Sequence, residues 1–330
     1  MAESAGLPQA IEVEDSGAIE FVTEQATVSV YPSCGMLISS FIDIATGADA
    51  IWTTGRPVPR HGGLGVGGSA STDTFMEDFV GGWFPMIPHV GFPDPDDDTV
   101  YLHGTAARLP WTITARSSSR LTATVVLENA FTVVRELELT GRMLRVETSL
   151  VNAGATSRAV SWGEHPCFDL TTFASGAVTA PVVTAKVPYP ALDESAASLA
   201  SAGHFFWPEA IGVNGAPRVV SAVGDPQWEG HDHIELELLS GSAQLSAPHL
   251  GLILDVAWDP SAWPSVLLWR RSKGAANPEN VIALEPASVE GRGAADRATL
   301  TMMEPGEQWD SWISVCWTDD ERVSEGDIHV

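Results

Sequence analysis

The feature that most constrains this chain is a long series of short, β-branched or alternating runs cut by turn residues, with almost no helical periodicity. Residues 121–127, 131–139 and 143–151 are three consecutive strand candidates. Their connectors, Glu128-Asn129-Ala130 and Thr140-Gly141-Arg142, are short enough for a meander. In the middle run Thr132, Val134, Glu136 and Glu138 alternate with Val133, Arg135, Leu137 and Leu139, a period close to two, though imperfect. Residues 27–31 and 36–44 read as a hairpin hinged near Pro32-Ser33-Cys34-Gly35. Further strands are expected at 233–239, 252–257, 265–269, 281–284 and 310–318. The run 159–170 is apolar, but Gly163 and Pro166 break it as a helix. Many short strands with Gly/Pro turns, and no strand–helix–strand rhythm, point to an all-β fold: a large antiparallel β-sandwich. No linker divides the chain, so residues 1–330 are expected to form a single domain. The weakly periodic stretch 171–223 is expected to be an irregular excursion from the sheet.

Charge narrows the partners. The chain has 43 acidic against 17 basic residues, a formal net charge of −26. Such a surface repels phosphate backbones and anionic lipid headgroups, so neither nucleic acid nor a membrane is expected as a partner. Three scattered cysteines, Cys34, Cys167 and Cys316, form no disulfide framework or zinc site. The opening residues lack a signal-peptide pattern, and no apolar run approaches the ~18 residues of a membrane helix. A cytoplasmic protein is the expectation. The acidic turn at 93–98 lacks EF-hand spacing, so no metal is expected. The glycine-rich stretch 61–68 is followed by no helix and reads as a loop over a site mouth.

Four segments set polar residues among large apolar ones. They are Tyr101-Leu102-His103-Gly104 with Arg108 and Trp111, the run from Trp162 through Glu164-His165-Pro166-Cys167 to Leu170, Gly230-His231-Asp232-His233, and Ile282-Ala283-Leu284-Glu285-Pro286. Glu285 ends an apolar run, and a desolvated carboxylate there has a raised pKa suited to proton transfer near neutrality. Tryptophan faces stack on pyranose rings, which makes Trp83, Trp162, Trp258 and Trp269 candidate cleft walls, with Trp83 favoured by its Gly-rich setting; each is equally a core residue by type. Arg108 either reaches an anionic substituent of a substrate or pairs with a surface acid. Arg270, Arg271 and Lys273 are the basic cluster to inspect for an anionic substrate.

Together these segments resemble the aldose 1-epimerases of the galactose mutarotase type. The resemblance runs from Val28–Gly35, through Leu102-His103-Gly104, His165-Pro166-Cys167-Phe168-Asp169-Leu170 and Leu284-Glu285-Pro286, to Gly306-Glu307. It implies an enzyme that interconverts the anomers of a hexose. His165 would protonate the ring oxygen and Glu285 would take the proton from the anomeric hydroxyl. His103 would bind the sugar and steady developing charge, and Asp232 would hydrogen-bond a ring hydroxyl. No cofactor is implied; the partner would be a small-molecule sugar, and a homodimer is left open. Many members carry an Asn-Arg pair before the first histidine, whereas the corresponding stretch here, 80–88, has no arginine, so galactose is not assumed as the substrate. The alternatives are a non-catalytic sugar-binding protein and a glycoside-cleaving enzyme using Glu285 with Asp232, with a hexose-phosphate epimerase, which calls for an arginine clamp, behind them.

Overall fold

The computed structural model describes residues 17–58, 79–92, 101–128, 130–188, 197–200, 203–223, 228–273, 280–290 and 297–321. The stretches 61–68 and 93–98 singled out above lie outside the described residues. Two large antiparallel sheets face each other. The ten-stranded sheet runs in the order Ile19–Val22, Ala26–Tyr31, Leu37–Asp43, Trp83–Met86, Gly163–Asp169, Asn280–Ala287, Ser265–Lys273, Glu229–Leu238, Val182–Lys186 and His204–Phe206. The nine-stranded sheet runs Ala222–Val223, Gly176–Thr179, Ser242–Ala247, Leu252–Trp258, Gln308–Asp319, Met143–Asn152, Phe131–Thr140, Arg120–Val126 and Thr112–Arg116. The protein is an all-β sandwich, as the strand periodicity predicts. Among the described residues no helix is long and apolar enough to cross a membrane.

The expected meander forms with its strands one residue from their predicted ends: Arg120–Val126, Phe131–Thr140 and Met143–Asn152 pair consecutively. One expectation is corrected. Among the described residues of 171–223, Gly176–Thr179, Val182–Lys186, His204–Phe206 and Ala222–Val223 join the sheet margins, while Glu209–Ile211 and Pro217–Val219 pair with each other outside both large sheets, so the stretch is an excursion only in part. Strands this short hold too few residues for an alternation to show.

The two sheets bury their strands differently. In Phe131–Thr140 and Leu252–Trp258 every second residue is buried, because the outer face meets solvent. At the centre of the ten-stranded sheet both faces are buried: every residue of Trp83–Met86 and of Asn280–Ala287 is buried. One face of these strands contributes Trp83, Phe168, Ile282 and Leu284 to the inter-sheet core. The other contributes Phe84, Cys167, Trp269 and Ala283 to a second cluster, covered by Trp52, Phe79, Val90 and Leu102 from connecting segments.

A fully buried ion pair crosses the inter-sheet core. Arg135 points inward from the nine-stranded sheet, fully buried, and its Nη2 lies 2.8 Å from Glu164 Oε2 on the ten-stranded sheet. Trp83 Nε1 donates to the same carboxylate at 2.7 Å and Thr148 Oγ1 at 3.2 Å. Desolvation pushes the Glu164 carboxyl up and the Arg135 guanidinium down, each opposed by its partner's charge. Removing one member strands the other charge in an apolar core. Arg135→Met or Glu164→Gln is therefore expected to cost roughly 3–5 kcal/mol in chemical denaturation, with the double replacement recovering most of that loss.

Candidate active site

The candidate site lies on the second buried face of the ten-stranded sheet. Gly163–Asp169 pairs with Asn280–Ala287 such that Gly163 faces Ala287 and Cys167 faces Ala283, and the same register sets His165 opposite Glu285. The neighbouring strand adds Leu267 beside Glu285 and Trp269 beside Ala283, and the next adds His233 beside Trp269. Because side chains on a strand point to alternate faces, His165, Cys167, Glu285, Trp269, His233 and His231 share one face, while Glu164, Asp232 and Arg270 share the other.

His165 and Glu285, two of the residues singled out from sequence, meet. His165 Nε2 lies 3.4 Å from Glu285 Oε1, and both side chains are almost fully buried. Among the described residues Glu285 has no other ion-pair or hydrogen-bond partner. Aromatic rings box the imidazole. Phe84, its register partner on the adjacent strand, stacks on it with ring centroids 4.7 Å apart, Trp269 stands 5.8 Å away and Phe79 6.3 Å. His103 joins them, its ring 4.9 Å from that of His165 and set edge-on. The turn that delivers His103 requires two consecutive left-handed residues, His103 at φ 59° and Gly104 at φ 74°. A Cβ on Gly104 would sit 2.3 Å from the carbonyl oxygen of Ile87, so only glycine fits there.

This dry, aromatic lining controls protonation. Desolvation raises Glu285 from 4.5 to about 8. It drives His165 well below the usual histidine value, with the nearby His103 and His233 rings adding to the fall. Burial lowers His103 to about 3. At neutral pH the facing pair therefore holds one proton and no net charge, with burial favouring that proton on the carboxyl. Such a pair can accept a proton at one end and give one at the other without ever placing an isolated charge in the cleft.

Other sequence candidates lie elsewhere. Trp83, favoured as a stacking wall, faces the inter-sheet core and holds Glu164; the pleat turns it away from the cleft, and its neighbour Phe84 stands there instead. Trp162 and Trp258 are also core residues, which leaves Trp269 as the tryptophan of that group at the site. Asp232 is turned inward, where Arg270 Nη2 binds it at 2.9 Å, Ser198 Oγ donates to it at 2.5 Å and the amide of Ser198 does so at 3.0 Å. It is thus not brought to the cleft, and a Glu285–Asp232 carboxylate pair does not form. Arg270 belongs to that inward cluster too, so the basic group splits between the sheet's two faces. Arg108 stacks its guanidinium on the Tyr101 ring at 3.9 Å.

The sequence motifs assign no role to His231, His233, Cys167 or Phe84. Trp269 Nε1 donates to His231 Nε2 at 2.6 Å, and His231 stands 4.9 Å from His233. The alternation of 230–236 was the available signal: Asp232 falls in phase with Ile234 and Leu236, and the two histidines fall out of phase with them. Among the described residues no group of three or more His, Cys, Asp or Glu side chains is arranged to hold a metal ion.

Comparison with solved structures gives matches over nearly the whole chain. A candidate aldose 1-epimerase from Escherichia coli K12 superposes with a TM-score of 0.64 at 18% identity, covering 92% of this chain and 99% of that one. A galactose mutarotase related enzyme from Lactobacillus acidophilus gives 0.63 at 14%, covering 92% and 98%. A galactose mutarotase-like protein from Lactobacillus casei gives 0.59 at 17%, covering 92% and 100%. The fold is the galactose mutarotase-like sandwich. No family model matches the chain, and neither does any curated protein sequence. At these identities the likeness is one of fold, and it agrees with the architecture implied by the sequence motifs. Within this galactose mutarotase-like sandwich the site's chemistry has to be argued from its own residues.

The raised carboxyl of Glu285 has a measurable cost. Between 4.5, its ordinary value, and about 8 the folded state holds a proton that the unfolded chain releases. Stability therefore falls as pH rises through that window, by at most about 1.4 kcal/mol per pH unit. Glu285→Gln removes this titration. Thermal melts should show the variant matching the parent near pH 4 and exceeding it by several degrees at pH 8.

Proposed function

We propose that the chain is an aldose 1-epimerase, an isomerase that opens and recloses the pyranose ring of a hexose. The observation that carries this reading is the facing of His165 Nε2 and Glu285 Oε1 at 3.4 Å in a buried, aromatic-walled recess. Mutarotation asks for a base at the anomeric hydroxyl O1, an acid at the ring oxygen O5 and room for C1 to turn. A sugar hydroxyl donating to the carboxylate, and a ring oxygen accepting from the imidazolium, favour the charge-separated form of the pair over the uncharged one. From that form Glu285 takes the O1 proton as C1 becomes a carbonyl. The C1–O5 bond breaks and His165 delivers its proton to O5. The pair ends as neutral imidazole and carboxylic acid, still holding one proton. Rotation about C1–C2 followed by the reverse transfers closes the ring on the other face. The edge of His103 and the faces of Trp269 and Phe84 supply walls for the sugar.

The three cysteines are free thiols, which supports a cytoplasmic setting. A binding protein without turnover is the rival reading, and a kinetic measurement separates the two. Polarimetry on freshly dissolved α-glucose and α-galactose should show catalysed anomer exchange. His165→Asn and Glu285→Gln should each lower it by about 10²–10⁴-fold with the fold retained. Full activity in either variant rules out the assignment, and tight sugar binding without acceleration selects the binding protein.

The pH profile supplies a second check. Activity needs one proton on the pair. Raising the pH through about 8 removes it from Glu285, and lowering the pH well below 6.5 adds a second at His165. The catalytic efficiency kcat/KM should therefore trace a bell with its alkaline limb near 8. The two apparent values belong to the pair, not to either residue alone.

A further inference from the structure

His165 has two ring nitrogens, and only Nε2 faces Glu285. The other, Nδ1, lies 3.3 Å from the sulfur of Cys167, two residues along the same strand and fully buried. Cys167 thus shares the face of His165 and backs its ring from the side away from the carboxylate. We propose that Cys167 is a positioning residue: its sulfur accepts the Nδ1–H of His165, fixes the imidazole's rotamer and tautomer, and confines proton exchange to Nε2. The inference rests on the acid–base reading above and deepens it by naming what orients the acid.

The proton count supports this assignment. With the shared proton on Glu285, the carboxyl donates to Nε2, so the neutral ring carries its hydrogen on Nδ1. With the proton moved to Nε2, the imidazolium still carries hydrogen on Nδ1. In both states the sulfur accepts, so nothing at the Cys167 end has to rearrange during turnover. The usual partner for this task is a carboxylate or carbonyl, which raises the basicity of the ring it holds. A thiol is a weak, uncharged acceptor; it orients the ring and leaves the imidazolium a good acid. The thiol stays protonated, because desolvation and the nearby Glu285 push it well above the ordinary cysteine value.

The test uses the full chain labelled with ¹⁵N and long-range ¹H–¹⁵N imidazole spectra, with the His165 signals assigned by their loss in His165→Asn. The parent protein is expected to show His165 as the Nδ1–H tautomer at neutral pH. Cys167→Ala should give a mixture of tautomers, shift the acid limb of the pH profile and lower kcat by about tenfold with KM changed less than twofold. Cys167→Ser, which keeps an acceptor at nearly the same volume, should restore the tautomer and most of kcat. It also stands in should the alanine variant fold poorly. An Nε2–H tautomer in the parent, or an unchanged spectrum and acid limb in Cys167→Ala, overturns the proposal. The spectra read Cys167 independently of turnover. The expected tautomers with no anomer exchange in the parent would sink the enzymatic reading and leave the positioning contact standing.

Discussion

The structure turns on the buried contact between Arg135 and Glu164. It joins the two sheets through the middle of the core, and the carboxylate it holds also takes hydrogen bonds from Trp83 and Thr148. Glu164 immediately precedes His165 on a strand whose residues point to alternate faces. The clamp on one face therefore fixes the height and register of the imidazole on the other. A buried ion pair is a costly way to glue two sheets, since burial penalises both charges. What it supplies is a single registration: a carboxylate meets its guanidinium at one offset, whereas apolar side chains tolerate several.

The site follows from the same two-sidedness. A sheet buried on one face offers its outer residues to water, where Glu285 would titrate as an ordinary carboxylate. Here connecting segments bring Trp52, Phe79 and Leu102 over that outer face, and the facing acid and imidazole are desolvated together. Desolvation moves the two groups in opposite directions, the carboxyl upward and the imidazole downward, so that the pair holds a single proton near neutrality, with burial favouring it on the carboxyl. The reactivity proposed for the pair is thus a by-product of burial, and it calls for no cation or anion placed nearby to tune it.

Much of this was legible in the chain. The strands with solvent on one face were readable because alternation is their signature, and only the structure gives meaning to the flaw in it at Arg135. The flaw marks a charge turned into the core, a meaning that needs its partner on the other sheet before it can be read. Glu285 was visible as a carboxylate at the end of the apolar run 281–284, and His165 through the motif around it. Asp232 was singled out over the histidines flanking it because the motif pointed to an acid, and the pleat placed it on the wrong side. Trp83 went the same way: Gly81 and Gly82 suggested a loop, while the tryptophan begins a strand and is turned toward Glu164. The short strands within 171–223 left no pattern because two to five residues carry too little of one.

The strand Gly163–Asp169 keeps its two tasks on separate sets of positions. Glu164 and Phe168 face the inter-sheet core, and His165 and Cys167 face the cleft. A slip by a single residue would exchange the sets, sending a carboxylate into the recess and an imidazole into the core, so neither task tolerates the other's register. Substitutions along this one strand should sort by parity, the even ones felt in how well the chain holds its shape and the odd ones in what it can do. Drift can then retune the recess at the position of Cys167 while the scaffold beneath it stays as it is.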